Sequence, residues 1–170
     1  GWNIRRVKDE FPETLIGGVD FSIPQLTYSK DYLKGYQAKT CYGDICKMPL
    51  KDNAYDIGIS VGVFMNIHPS KIGDAVKEMA RVCKKYIIHL EYDEDNTTKE
   101  LKYKRSFKTN IVSHNYQKLY EIMGKEVLQF QTYKDFGESY ALHIKNLQKK
   151  LDCWEEFEGP AKYILTVIKV

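Results

Sequence analysis

The chain has 170 residues, 43% of them hydrophobic, enough apolar material for a single domain with a core of its own. Lysine and arginine exceed aspartate and glutamate by only 26 to 23, so the net charge of +3 gives no reason to expect a nucleic-acid partner. The cysteines, Cys41, Cys46, Cys83 and Cys153, lack the Cys-x-x-Cys pairs of a zinc site, and no apolar run approaches the roughly 20 residues that span a bilayer. Reduced thiols, a cytoplasmic location, no metal and no membrane association are the resulting expectations.

Apolar spacing through Trp2, Ile4, Val7 and Phe11 predicts a short amphipathic helix that stops at Pro12. A strand follows over residues 15–20. Ser22 ahead of Pro24 suits an N-cap with proline in the first turn, and Leu26, Tyr28, Tyr32 and Leu33 form the predicted inner face of a helix ending near Gly35. A second short strand covers residues 38–42, and Pro49 with Asp52-Asn53 marks residues 47–53 as a loop. Residues 55–63 read as a buried parallel strand, residues 72–82 as an amphipathic helix, and residues 86–90 as another buried strand.

The order α-β-α-β-β-α-β, with connections long enough for parallel crossovers, predicts a doubly wound, mostly parallel α/β sheet. The later half adds a polar stretch over residues 93–110, a helix over 113–123 and a strand over 126–132. An amphipathic helix over about 139–157 and a closing strand over 163–170 complete the expected domain.

Two of the strands finish in an acid. Gly18-Val19-Asp20-Phe21-Ser22 closes the first, and Gly43-Asp44 follows the second about twenty residues later. Neighbouring strands of an open sheet that each end in a carboxylate can serve one nucleoside, the first acid at the ribose hydroxyls and the second near the base. Each acid also has a plainer role open to it: Asp20 as a helix cap, and Asp44 as a turn former beside Gly43.

Those two pieces, followed by Met48-Pro49-Leu50-Lys51-Asp52-Asn53-Ala54-Tyr55-Asp56 and then by Glu78-Met79-Ala80-Arg81-Val82, resemble the class I S-adenosylmethionine-dependent methyltransferases. The resemblance covers residues 1 to about 92 well and the remainder weakly. It implies a Rossmann-like methyltransferase fold of seven strands, with the strand over residues 163–170 as its antiparallel last member. Gly1-Trp2-Asn3 resembles the end of the family's Gly-rich turn, which implies a single domain whose first strand and turn precede the given sequence.

Carried onto this chain, the resemblance implies S-adenosylmethionine as cofactor. It puts Gly1 at the end of the cofactor turn, Asp20 on the ribose with Phe21 and Ser22 lining the adenosine side, and Gly43, Asp44 and Ile45 around the adenine. Ser60, Val61 and Gly62 would meet the cofactor from the end of the third strand. The acceptor side should be built from the carboxyl ends of the later strands, which nominates Asn66, Tyr92, His114 and Tyr116 as substrate contacts and His68 and Glu91 as catalytic candidates. His68 also fits a turn that caps the next helix, and His114 and Tyr116 also fit core or capping positions.

The residues after the third strand, Ser60-Val61-Gly62-Val63-Phe64, lack the Asn/Asp-Pro-Pro-Tyr/Phe signature of enzymes that methylate exocyclic base amines, so a small-molecule acceptor is expected. Gly62 to Pro69 with Glu91-Tyr92 resembles methylases associated with pseudaminic acid biosynthesis, which implies a sugar-like or cell-surface metabolite. Two rivals stay open: a nicotinamide-dependent oxidoreductase, whose ribose is also held by an acid after the second strand, and a methyltransferase-like binding module without turnover. Oligomeric state is not legible.

Overall fold

Helix α1 (Trp2–Glu10) and strand β1 (Ile16–Asp20) open the chain in the computed structural model, which describes residues 1–92, 112–132, 135, 137–139, 142 and 163–170. Two compact units are present, Gly1–Lys51 and Asp52–Val170.

In the first unit, Lys8 turns its ammonium to the carbonyls of Pro12 and Thr14, which satisfies acceptors just past the end of α1. Helix α2 (Ile23–Tyr32) then connects β1 to strand β2 (Ala38–Tyr42), and the two strands pair in parallel from Ile16 opposite Ala38 to Asp20 opposite Tyr42. Ser22 caps α2 as expected, its hydroxyl accepting the Gln25 N–H at 3.4 Å with Pro24 in the first turn. The inner face differs from expectation. Ser29 and Leu33 are buried while Tyr28 is 72% exposed. Leu26, Ser29 and Leu33 lie three and four residues apart on one side of the helix, and Tyr28 falls about 200° round from Leu26.

The second unit runs β3 (Tyr55–Val61), a single 3₁₀ turn (Phe64–Asn66), α3 (Ile72–Val82), β4 (Cys83–Tyr92), α4 (Tyr116–Ile122), β5 (Glu126–Thr132) and β6 (Tyr163–Lys169). Its sheet has the order β3-β4-β6-β5, with β3 and β4 parallel and β6 antiparallel to both β4 and β5. Three strands therefore share one direction and the closing strand opposes them, the expected arrangement. The expected helix over residues 139–157 lies, beyond Ser139 and Leu142, outside the described residues.

Several boundaries move: α2 ends at Tyr32, ahead of Gly35, and β4 runs on to Tyr92, past residue 90. Strand β3 stops at Val61 rather than residue 63 because Gly62 adopts φ +63°, a left-handed conformation that only glycine enters without strain. Strand β4 starts at Cys83 rather than residue 86, directly from the end of α3, and one extra residue between Cys83 and Tyr86 forms a bulge opposite Tyr55 and Ile57. Helix α4 starts at Tyr116 rather than residue 113, since Asn115 takes the N-cap and accepts the Lys118 N–H at 2.8 Å.

Helix α3 buries Ile72, Ala75, Val76, Met79 and Val82, the stripe that its periodicity foretells. At its end Arg81 grips both oxygens of Glu78 at 2.7 Å and reaches Asp52 at 2.7 Å, while its carbonyl accepts the Asn53 N–H. The loop into β3 is fastened to the helix in this way. On the sheet, Ile87, His89 and Glu91 of β4 alternate inward opposite Ile168, Thr166 and Ile164 of β6, with all six side chains fully buried. No helix among the described residues is long and apolar enough to cross a membrane.

Candidate functional site

Strands β1 and β2 end side by side. The Gly43 N–H donates to the Asp20 carbonyl at 3.1 Å, so Asp20 and Asp44 leave the same edge of one parallel pair. Each carboxylate is aimed by its own backbone: Asp20 Oδ1 accepts the Ser22 N–H at 2.9 Å and Asp44 Oδ1 accepts the Cys46 N–H at 2.8 Å. The second oxygen of each acid has no partner among the described residues. Local turn formation and an outward-facing acceptor therefore coexist in both, and the plainer roles do not consume the side chains.

Gly43 is needed for this edge. A Cβ there would stand 2.5 Å from Pro49 Cδ and 2.9 Å from Val19 Cγ1, because the Met48-Pro49 loop folds back over the strand end. The Lys47 N–H returns to the Asp44 carbonyl at 2.9 Å and Met48 is buried. At the edge, Phe21 is 75% exposed and Ile45 is half-buried. Gly1, whose carbonyl accepts the Arg5 N–H at the head of α1, lies instead against Tyr32 and Leu33 at the other end of α2. Ribose hydroxyls and an adenine amino group are hydrogen-bond donors, and two aimed acceptors on adjacent strand ends fit them.

The second unit places its candidates differently. Ser60, His89 and Glu91 are buried together: Ser60 Oγ lies 2.6 Å from His89 Nδ1 and donates to Glu91 Oε1 at 2.7 Å. Glu91 also accepts the backbone N–H of Val63 at 3.0 Å and of Met65 at 3.3 Å, so its carboxylate faces the turn after β3. Burial pushes the Glu91 carboxyl above its ordinary range, opposed by the donors from Ser60, Val63, Phe64 and Met65. Desolvation likewise holds His89 neutral, down to about 3.

Val61 is partly exposed at the end of β3, and Gly62 makes the sharp turn that follows. Asn66 closes that turn by donating its amide to the carbonyls of Gly62 at 3.0 Å and Val63 at 3.4 Å, which leaves Oδ1 as its outward acceptor. His68 is exposed; its Nδ1 accepts the Ser70 N–H at 3.2 Å and lies 2.8 Å from Ser70 Oγ, so the neutral ring carries its proton on Nε2. His114 donates from Nε2 to the Ile67 carbonyl at 2.9 Å, Tyr116 is fully buried and stacked on His89 at 5.3 Å, and Tyr92 is fully buried.

Two participants carried no sequence signal as functional residues. His89 sits in a run that reads as apolar strand, and Tyr120 sits on a helix face that any core would claim; the two meet at 2.7 Å. The available clue was the two-residue spacing of Ile87, His89 and Glu91, which puts all three on one face of β4.

The family profile described as "Methyltransferase domain" matches residues 1–86. No curated protein matches the chain significantly. Among solved structures, an S-adenosylmethionine-dependent methyltransferase from Mesorhizobium loti is similar at a TM-score of 0.73 and 11% identity, over 100% of this chain and 86% of that one. A geranyl diphosphate methyltransferase in complex with SAM is similar at 0.70 and 9% identity, over 98% of this chain and 72% of that one. The [4+2]-cyclase SpnF follows at 0.64 and 16% identity, over 91% and 66%. At such identities the structures establish the Rossmann-like fold, a fold that carries more than one chemistry. The profile match spans half of the sequence and the whole Asp20 and Asp44 edge, and on it the chain belongs to the methyltransferase domain family, as an S-adenosylmethionine-dependent methyltransferase.

Proposed function

We propose that this chain transfers a methyl group from S-adenosylmethionine to a small-molecule acceptor, with Asp20 and Asp44 holding the adenosine. The observation that carries the reading is the Gly43 N–H bond to the Asp20 carbonyl, which sets both acids on one edge with an outward oxygen each. Asp20 takes the ribose hydroxyls, Asp44 the adenine amino group, and Phe21, Ser22 and Ile45 flank the nucleoside; Gly1, packed by Tyr32 and Leu33, is left out of this set. In the second unit, taken by itself, Ser60 through its backbone, Val61 and Gly62 are the proposed cofactor contacts at the carboxyl end of β3.

S-adenosylmethionine supplies an activated methyl on a sulfonium, so the protein has chiefly to align an acceptor and, for an oxygen or amine, to receive a proton. Asn66 Oδ1 and His68 are exposed and can meet an acceptor directly. With its proton on Nε2, His68 offers a hydrogen-bond donor there, a substrate-orienting role in place of the base. Tyr92, His114, Tyr116 and Glu91 are buried and support the site from behind.

The acceptor class is supported by the residues after β3 and by the small net charge of +3, and a sugar-like metabolite is the narrower version of it. Incubation of the full chain with methyl-labelled S-adenosylmethionine and separate pools of nucleotide sugars, free sugars, nucleic acid and protein tests it. Label entering a small-molecule pool is the expected result. Label confined to nucleic acid or protein overturns the acceptor class.

A further inference from the structure

The inner face of the second unit's sheet buries four polar side chains in one unbroken line. Tyr120 Oη lies 2.7 Å from His89 Nε2, His89 Nδ1 lies 2.6 Å from Ser60 Oγ, and Ser60 Oγ donates to Glu91 Oε1 at 2.7 Å. His89, Glu91 and Tyr120 are fully buried and Ser60 is nearly so. Phe64 edges onto His89 at 4.6 Å and Tyr116 stacks on its other side at 5.3 Å, which seals the line from water.

The protons along it have one consistent arrangement when Glu91 is ionised. Ser60 has a single proton and gives it to the carboxylate, so its oxygen must accept from His89 Nδ1–H. A neutral ring protonated on Nδ1 has a bare Nε2, which accepts from the Tyr120 hydroxyl. The Glu91 carboxylate thereby fixes the direction of the Ser60 hydroxyl, that hydroxyl fixes the histidine tautomer, and Tyr120, whose hydroxyl can donate or accept, completes the line as a donor.

At the other end the buried Glu91 carboxylate faces the turn after β3 and collects the N–H groups of Val63 and Met65. These belong to the turn after β3, at the carboxyl ends of parallel strands, where ligands of open α/β sheets bind. We propose that Glu91 is a positioning residue for the Gly62–Asn66 turn, its negative charge serving as the anchor of the turn's backbone and the Ser60–His89–Tyr120 line serving to aim it. The relay geometry stands by itself; only its effect on cofactor binding rests on the S-adenosylmethionine reading.

A protonated Glu91 anchors the turn less well. Its proton can go to Ser60 Oγ, whose hydroxyl then turns to His89 Nδ1, so the line reverses; the carboxyl group left facing the turn is uncharged, and its oxygens are weaker acceptors for the Val63 and Met65 N–H groups. The titratable groups near Glu91 are His89 on its own strand and Tyr120 of α4, with Cys83 facing Tyr120 from the start of β4; β3 contributes the Ser60 hydroxyl, and β6 presents the apolar Ile164 opposite. No lysine or arginine among the described residues is bonded to it, and burial lifts its proton affinity, so the anchor is released at milder acidity than an ordinary carboxylate would allow.

Nitrogen-15 NMR on the full chain tests this, with Glu91→Gln and Tyr120→Phe as variants and S-adenosylmethionine as the binding probe. In the wild type the His89 ring should be neutral with its proton on Nδ1, and the Val63 and Met65 amides should be protected from exchange near neutral pH and lose protection on acidification. In Glu91→Gln the Met65 amide should exchange at least tenfold faster at neutral pH, with no further acid-dependent loss. In Tyr120→Phe, which keeps the helix packing, the ring proton should stay on Nδ1, held by the Ser60–Glu91 end of the line, and the Val63 and Met65 amides should stay protected near neutral pH. S-adenosylmethionine affinity should follow the amide protection, falling about tenfold with it. A wild-type ring protonated on Nε2, or Val63 and Met65 amides indifferent to pH and to Glu91→Gln, overturns the proposal. Amides that behave as stated in a chain that binds no S-adenosylmethionine at any pH leave the relay standing and overturn the cofactor reading alone.

Discussion

The Asp20 carbonyl accepts the Gly43 N–H at 3.1 Å, and through that one bond the acid ending β1 and the acid following β2 become neighbours on a single strand edge. Each then bends one carboxylate oxygen to a backbone N–H two residues on, at 2.9 Å for Asp20 and 2.8 Å for Asp44. A side chain fixed by one oxygen points the other, so the edge is oriented before any ligand arrives and loses little rotamer freedom on binding.

Replacing Gly43 by alanine should damage the edge without touching either acid. The new Cβ meets the ring of Pro49 at 2.5 Å and Val19 at 2.9 Å, and neither a proline ring nor a strand side chain yields easily. Overpacking of this kind costs about 1 to 3 kcal/mol. Thermal denaturation should show the loss, together with weaker S-adenosylmethionine binding; an unchanged melting temperature would mean that the Met48-Pro49 loop is not held against the strand.

Gly62→Ala should destabilise for a different reason. There is space for a methyl group, with Met65 Cε the sole close atom at 3.3 Å, but φ is +63°. A left-handed conformation costs a non-glycine residue roughly 1 to 2 kcal/mol. Urea unfolding should give a lower midpoint with an unchanged slope, and Gly62→Asn, which tolerates this conformation better, should recover part of the difference.

Acid stability should carry the signature of His89. The folded chain keeps the ring neutral down to about 3, against an ordinary value of 6.5, so between those limits the unfolded chain binds a proton that the folded one does not. Its contribution is complete above about pH 6.5 and is lost as pH falls toward 3, at up to about 1.4 kcal/mol per pH unit. Glu91, whose carboxyl is raised by burial, works in the opposite sense: its contribution is present below the ordinary carboxylate value and is lost as pH rises through the folded one. Urea midpoints measured across this range in Glu91→Gln isolate the histidine and should fall steadily with acidification. A flat profile would mean that His89 is open to water.

The order of strands and helices was legible from alternation and helical period, and the carboxylate edge from two acids placed after two short strands. Residues 55–61 and 163–169 are apolar enough for their strands to be read directly, but β3 is not the buried strand expected: Ile57 and Ile59, each 48% exposed, lie on an open face among the described residues. The Tyr28 error on α2 arose because a tyrosine at a marginal position satisfies a hydrophobic pattern whether or not it is buried, and here the narrower stripe through Leu26, Ser29 and Leu33 won. The ends of β3 and β4 moved for backbone reasons, a left-handed glycine and a one-residue bulge, which no side-chain pattern announces.

The interior of the second unit was the least legible part. Glu91 at the carboxyl end of a strand reads as a side chain offered to a ligand, yet whether it turns toward solvent or toward its own loop depends on the Val63 and Met65 N–H groups, which come from a turn whose geometry is tertiary. His89 and Tyr120 are 31 residues apart and meet only when α4 lies on the sheet. His114 and Tyr116 are buried on the His89 side of the sheet and Tyr92 is buried on the other face of β4, whereas Asn66 and His68 remain at the surface.

The measurement that bears most directly on the account is calorimetric titration of S-adenosylmethionine, with NAD in parallel, into the full chain and into Asp20→Ala and Asp44→Ala. Hydrogen bonds to a charged group contribute about 1.5 to 3 kcal/mol, so S-adenosylmethionine should bind the wild type, with Asp20→Ala weakening it roughly 10- to 150-fold, Asp44→Ala weakening it less, and NAD giving no heat. Equal S-adenosylmethionine affinity in all three proteins, or binding of NAD in its place, would contradict the assignment of this strand edge to the methyl donor.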